Sequence, residues 1–126
     1  MKSKTITIQG KDVTLGYCHA TEIGFKLLSD EDVNVFMADA VQCMKEEKMP
    51  DIRKTIYFII AAINAYCEWK GVQPAITDRD LMYESTPLEI GTAFGTILTL
   101  RSEFYAMPSG EPVDDNDENQ PEEKND

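Results

Sequence analysis

Cys18 and His19 stand side by side, and a thiol next to the chain's single imidazole is the first pairing in this sequence that could do chemistry. A cysteine nucleophile needs an imidazole turned toward it, a group that orients the imidazole, and donors for the oxyanion. Adjacent residues in extended or turning chain usually point apart, and no orienting group or oxyanion loop accompanies these two. They read as a partly buried thiol and a surface imidazole. Asp30, Asp32 and Asn34 imitate the first three ligands of a calcium loop, but the sixth position is Val35 rather than Gly and the twelfth is Val41 rather than Glu. Those acids are better placed as helix-capping charges. Gly91 and Gly95 form a GxxxG pair whose first reading is close helix packing in the core and whose second is the approach of another subunit.

The remaining chemical signatures are missing from the sequence. It has no phosphate-cradling glycine loop, no GxSxG, no HExxH and no basic stripe interleaved with aromatics. Cys18, Cys43 and Cys67 are odd in number, widely spaced and without metal-site or redox-motif spacing, so they are expected to be reduced thiols. Met37, Met44, Met49, Met82 and Met107 suit either core filling or an adaptable binding surface. Nothing here points to a catalytic residue, a cofactor or a metal, and the expectation is a protein that is not an enzyme.

The elements that carry these residues begin with KTITIQGKDVTLGY, Lys4 to Tyr17. Ile6 and Ile8 alternate with threonines, and Val13 and Leu15 alternate with polar residues, the period-2 pattern of strands with one buried face. Setting Ile8 against Val13 and Ile6 against Leu15 leaves Gly10-Lys11 as a two-residue loop, with Gly first as in a type II′ turn. A lone hairpin is marginal in water, so its aliphatic face must dock on something. A helix is expected from about Thr21 to Leu28, offering Ile23, Phe25, Leu27 and Leu28. Ser29-Asp30-Glu31-Asp32 then resembles a capping box opening a helix to about Lys48, with Val33, Phe36, Met37, Ala40, Val41 and Met44 as its buried stripe.

Pro50-Asp51 opens the next helix and Gly71 stops it. Its stripe is Ile52, Ile56, Ile59, Ile60, Ile63 and Cys67, but Tyr57, Phe58, Ala61, Ala62 and Ala65 fill much of the other side. A helix apolar nearly all round is either central in the fold or shared with a partner. Thr77 caps a short helix to about Glu84, and Thr86-Pro87-Leu88-Glu89 is the strongest helix start in the chain. That last helix is expected to run to about Ala106 with Leu88, Ile90, Phe94, Ile97, Leu98 and Phe104 inward. The fold class is therefore mainly α: an N-terminal β-hairpin packed on a bundle of four to five helices.

Charge divides the chain in two. Residues 1–107 carry 15 acids and 11 bases, giving −4, and residues 108–126 carry 8 acids and one Lys, giving −7. The second stretch, PSGEPVDDNDENQPEEKND, has one aliphatic residue and no aromatic, so burial cannot offset its ordering entropy and it is expected to be a disordered acidic tail. Residues 1–107 form the hairpin plus helical domain. An acidic body with an acidic tail argues against nucleic acid as a direct ligand, because phosphate contacts need clustered Lys and Arg. The longest uncharged apolar run, Thr55 to Cys67, is shorter than the roughly 20 residues that span a bilayer, and the first residues lead into a strand rather than an apolar signal segment. A cytoplasmic protein without a membrane partner is expected.

A hairpin of the form I-x-I-x-G-K-x-V-x-L, then a short helix, a helix opened by a capping box, an aliphatic-aromatic helix and an acidic tail: this layout resembles the tail assembly chaperones of long-tailed bacteriophages, over residues 4–107 and the tail beyond. The resemblance implies a non-enzymatic protein that coats the tape measure protein and helps recruit tail tube protein subunits, the chain corresponding to the short, non-frameshifted form. Tyr57, Phe58, Ala61 and Ala62, on the helix poorly divided into inner and outer faces, are the candidate contacts for a helical client. The two unpaired strand edges of the hairpin are the candidate site for a homo-oligomer. The rival reading is a small acidic adaptor or inhibitor, antirepressor-like or imitating nucleic acid, which would need its acids on the folded surface. An enzyme built on Cys18 and His19 is a more distant third.

Overall fold

The computed structural model describes residues 1–107, and the expected disordered tail, 108–126, lies outside the described residues. The hairpin is formed by β1 (Lys2–Ile8) and β2 (Lys11–Tyr17). Ile8 pairs with Lys11, Ile6 with Val13 and Lys4 with Leu15, so the loop is Gln9-Gly10 and the register differs by two residues from the expected one. Gln9 and Gly10 both have positive φ, 54° and 75°, the signature of a type I′ turn rather than II′. Two long-range bonds hold Gln9 in that conformation: its amide donates to Glu89 Oε2 at 2.9 Å and its side-chain Nε2 to the Asp80 carbonyl at 2.9 Å. A shift of two residues preserves which side chains share a face, so Ile8, Val13 and Leu15 are still buried and Ile6 packs on the core edge.

Among the described residues, the hairpin is followed by α1 (His19–Ser29), α2 (Val33–Lys45), α3 (Ile52–Lys70), α4 (Asp78–Glu84) and α5 (Pro87–Tyr105). Cys18 is the N-cap of α1, and Thr21 at N3 closes the box with its hydroxyl. The expected capping box at Ser29 is not used. Ser29 ends α1 and returns its hydroxyl to the Phe25 carbonyl at 2.7 Å, Asp30 takes the left-handed conformation with φ 59°, and the Asp32 side chain caps α2 by accepting from Asn34 N at 2.8 Å. The second helix also stops earlier than expected, at Lys45. Its inward residues are Val33, Phe36, Met37 and Ala40, while Val41 and Met44 lie beyond the part of the helix that meets the core and are exposed. Of the expected inward residues elsewhere, Ile52 and Leu88 are exposed for the same reason, since each sits in the first turn of its helix.

Asp51, Thr77 and Thr86 cap α3, α4 and α5 through their side chains, and Gly71 ends α3 with φ 71°. The core gathers around α3. Phe58, wholly buried, meets Tyr17 of β2, Phe25 of α1, Phe36 of α2 and Phe94 of α5 at ring-centroid distances of 6.2, 5.6, 5.5 and 6.1 Å, all edge-on. Four elements thus converge on one ring. Edge-on aromatic pairs add about 0.5–1.5 kcal/mol beyond area burial, which makes Phe58 the side chain that ties the hairpin to the helices.

Candidate interaction surfaces

The four residues expected to meet a helical client divide unequally. Phe58, Ala61 and Ala62 are at most 2% exposed, and Tyr57 alone reaches the surface. The correction follows from the position of α3: the helix is apolar nearly all round because hairpin and helices cover it, and three of the four candidates are withdrawn from any partner while the chain is folded. Tyr57 is half-buried, with Arg53 stacked 5.5 Å from its ring centroid.

A different apolar surface lies on α1. On α1, Ile23 and Leu27 are 62% and 81% exposed, and their i, i+4 spacing places them one turn apart on the outer face. The inner face of α1 meets α3 where Gly24 lies against Ala61, and Lys54 Nζ pairs with Glu31 Oε1 at 2.7 Å at the far end. The sequence offers Ile23 and Leu27 with Phe25 and Leu28 as the apolar residues of this helix; their exposure depends on α1 facing α3 through Gly24 and Phe25, which no local signal reveals.

Cys18 and His19 meet different surroundings. Cys18 is partly buried at the N-cap of α1, while the His19 ring is 80% exposed, stacks edge-on at 5.2 Å against Phe104, and lies 3.9 Å from Glu22 Oε1. Glu22 is instead the focus of a polar cluster that joins three elements. Tyr17 donates its hydroxyl to Glu22 Oε2 at 2.7 Å, Tyr105 donates to the same oxygen, and Arg101 stacks on the Tyr105 ring at 5.1 Å while donating to Asn34 Oδ1 at 3.1 Å. Burial, and then the bond to Glu22, pushes the Tyr17 phenol far above its ordinary value, and the same carboxylate raises Tyr105. Both phenols therefore stay neutral donors. The arrangement clamps the end of α5 to α1 and β2, beside a shallow cleft of about 580 Å³ lined by Asn34, Leu98, Arg101, Ser102 and Tyr105.

No protein-family model, curated protein or solved structure matches the chain. Its surfaces must therefore be read on their own chemistry. Asp32 caps α2 as expected, whereas Asp30 ends α1 in the left-handed conformation instead of serving the start of α2, and among the described residues no group of three His, Cys, Asp or Glu side chains is close enough to hold a metal ion. No helix among them is long and apolar enough to cross a membrane.

Gly91 and Gly95 depart from their first reading. A Cβ added at either meets no atom within 4 Å, so neither allows a close helix contact inside the core. They lie on an open face of α5, along a groove of about 400 Å³ whose other wall includes Ser3 and Lys4 of β1. Core filling also fails for most of the methionines: Met37 is buried, whereas Met44, Met49 and Met82 are 41–68% exposed.

Proposed function

We propose that this chain is a tail assembly chaperone of a long-tailed bacteriophage, working without catalysis in the cytoplasm of the bacterial host. It binds the tape measure protein, keeps it soluble and helps bring tail tube subunits to it. The observation that carries this reading is the order of elements, which resembles that family's: an I-x-I-x-G-K-x-V-x-L hairpin, a short helix, a second helix capped by Asp32, an aliphatic-aromatic helix, and an acidic C-terminal stretch.

The surface chemistry supports the same role. An extended helical client offers apolar side chains at i, i+4 spacing, and the exposed ridge of Ile23 and Leu27 presents a matching apolar surface on a rigid helix. The net charge of −11 keeps chaperone and client in solution by repulsion between complexes. Co-expression with the matching tape measure protein tests the reading. Its soluble yield should rise when this chain is present, and an unchanged yield with a folded chain would refute it.

A further inference from the structure

Two features that the folded chain leaves unused lie side by side. A two-residue loop makes Ile8 and Lys11 the hydrogen-bonded pair that closes the hairpin, and strict alternation then turns the N–H and C=O groups of Ser3, Thr5 and Thr7 outward along the free edge of β1. These groups find no partner among the described residues. The edge of β2 is different. The Thr21 hydroxyl donates to the Gly16 carbonyl at 2.8 Å, and Tyr66 of α3 lies against Gly16, where a Cβ would stand 3.1 Å from the Tyr66 Cβ.

Beside the open edge runs the open face of α5. Leu88 is 78% exposed at its start, and Gly91 and Gly95 follow with empty space where a Cβ would be. Glycine weakens a helix interior relative to alanine, and no contact within the chain requires these two.

We propose that this face joins two copies of the chain. β1 pairs antiparallel with β1 of the second copy about a two-fold axis at Thr5, and the two α5 helices approach through Gly91 and Gly95 on the same side of the four-stranded sheet. The edge is self-complementary in one register. Outward-facing residues must meet each other, and setting Thr5 against Thr5 and Ser3 against Thr7 uses all seven residues of β1. It also places Lys4 opposite Ile6 and Lys2 opposite Ile8, so no lysine faces a lysine. Sliding by two residues shortens the ladder, and in one direction sets Lys4 against Lys4.

The helix contact falls at the same level. Ser3 and Lys4 share the groove with Leu100 and Glu103, while Gln9 bonds Glu89, so β1 and α5 run antiparallel and the centre of β1 lies opposite the Gly95–Thr99 stretch. Strand pairing alone buries too little for a stable dimer, which needs roughly 1,200 Å² or more in total, so the proposed contact has to extend over the α5 face. The inference stands independently of the chaperone reading.

Light scattering on the full chain, with hydrogen exchange, tests it. The parent should have twice the 14.2 kDa chain mass, with the Ser3, Thr5 and Thr7 amides protected. Gly95→Lys enters open space, so helicity should be retained while the mass falls to that of one chain and those amides become exposed. Thr5→Pro removes one outward amide from each copy, two ladder bonds per dimer, and should weaken association by at least about tenfold. A parent that stays at 14.2 kDa at high micromolar concentration would overturn the proposal. So would a dimer that persists in Gly95→Lys, or one whose Ser3, Thr5 and Thr7 amides exchange freely.

Discussion

Replacing Phe58 by alanine separates a core role from a client-binding role, because the two demand opposite outcomes. In the structure the ring is wholly buried and touches aromatic rings from β2, α1, α2 and α5 at 5.5–6.2 Å. Deleting a buried phenylalanine costs about 3–5 kcal/mol through lost transfer energy and the cavity left behind. Four edge-on neighbours, each worth about 0.5–1.5 kcal/mol but not additive, place Phe58→Ala toward the upper end, at about 4–5 kcal/mol. Total stability for a domain of this size is about 5–15 kcal/mol, so the variant should lose from about a third to nearly all of it. In urea titrations followed by circular dichroism, with a slope near 1.5 kcal/mol per molar, the midpoint should drop by about 3 M. Phe58→Leu keeps most of the volume and should lose less than about half as much. A Phe58→Ala variant within about 1 kcal/mol of the parent would refute the placement of this ring at the centre of the fold.

Three further outcomes follow from the structure. Gly91→Ala and Gly95→Ala should each raise stability by about 1 kcal/mol, roughly 4–8 °C in thermal midpoint measured where the parent is monomeric; a fall at either position would contradict the open space found there. Glu89 is held below its usual 4.5 by the amides of Gln9 and Thr86, so its contribution to stability is present above pH 4.5 and is lost as pH falls through the lower folded value. Glu89→Gln should flatten the acid limb of the stability curve in that window, and a curve merely displaced in parallel would argue against this coupling. Tyr17 is shifted the other way, above its usual 10, so its contribution is complete below pH 10 and is lost as pH rises. Phenolate absorbance should therefore show a late phase that coincides with alkaline unfolding in the parent and is smaller by one phenol in Tyr17→Phe, Tyr105 remaining raised by Glu22.

Features written in a few adjacent residues were legible before any coordinates. Thr86-Pro87-Leu88-Glu89 opens α5 with the reciprocal bonds a capping box predicts, 2.9 Å from the Thr86 amide to Glu89 Oε1 and 3.2 Å from the Glu89 amide to the Thr86 hydroxyl. The alternation of Ile6, Ile8, Val13 and Leu15 gave the buried face of the hairpin, which a two-residue slip cannot change. The turn itself was not legible, because Gln9 adopts a left-handed conformation supported by Asp80 and Glu89, some seventy and eighty residues away. The same limit applies to α3. A helix apolar on nearly all sides suits either a central position or a shared surface, and only the convergence of four aromatic rings on Phe58 decides for the centre. Conversely, Ile23, Leu27, Gly91 and Gly95 looked like packing residues because their types are apolar or small. Which face of α1 and α5 turns inward is set by partners distant in sequence, and that choice leaves these four outside.

Co-purification of a tagged chain with the matching tape measure protein tests the chaperone reading most directly. The parent should bring that protein down in soluble form, and Ile23→Asp/Leu27→Asp, on the exposed face of α1, should lose it while keeping the parent's circular dichroism. Capture by neither form, or equal capture by both, would contradict the proposed client surface.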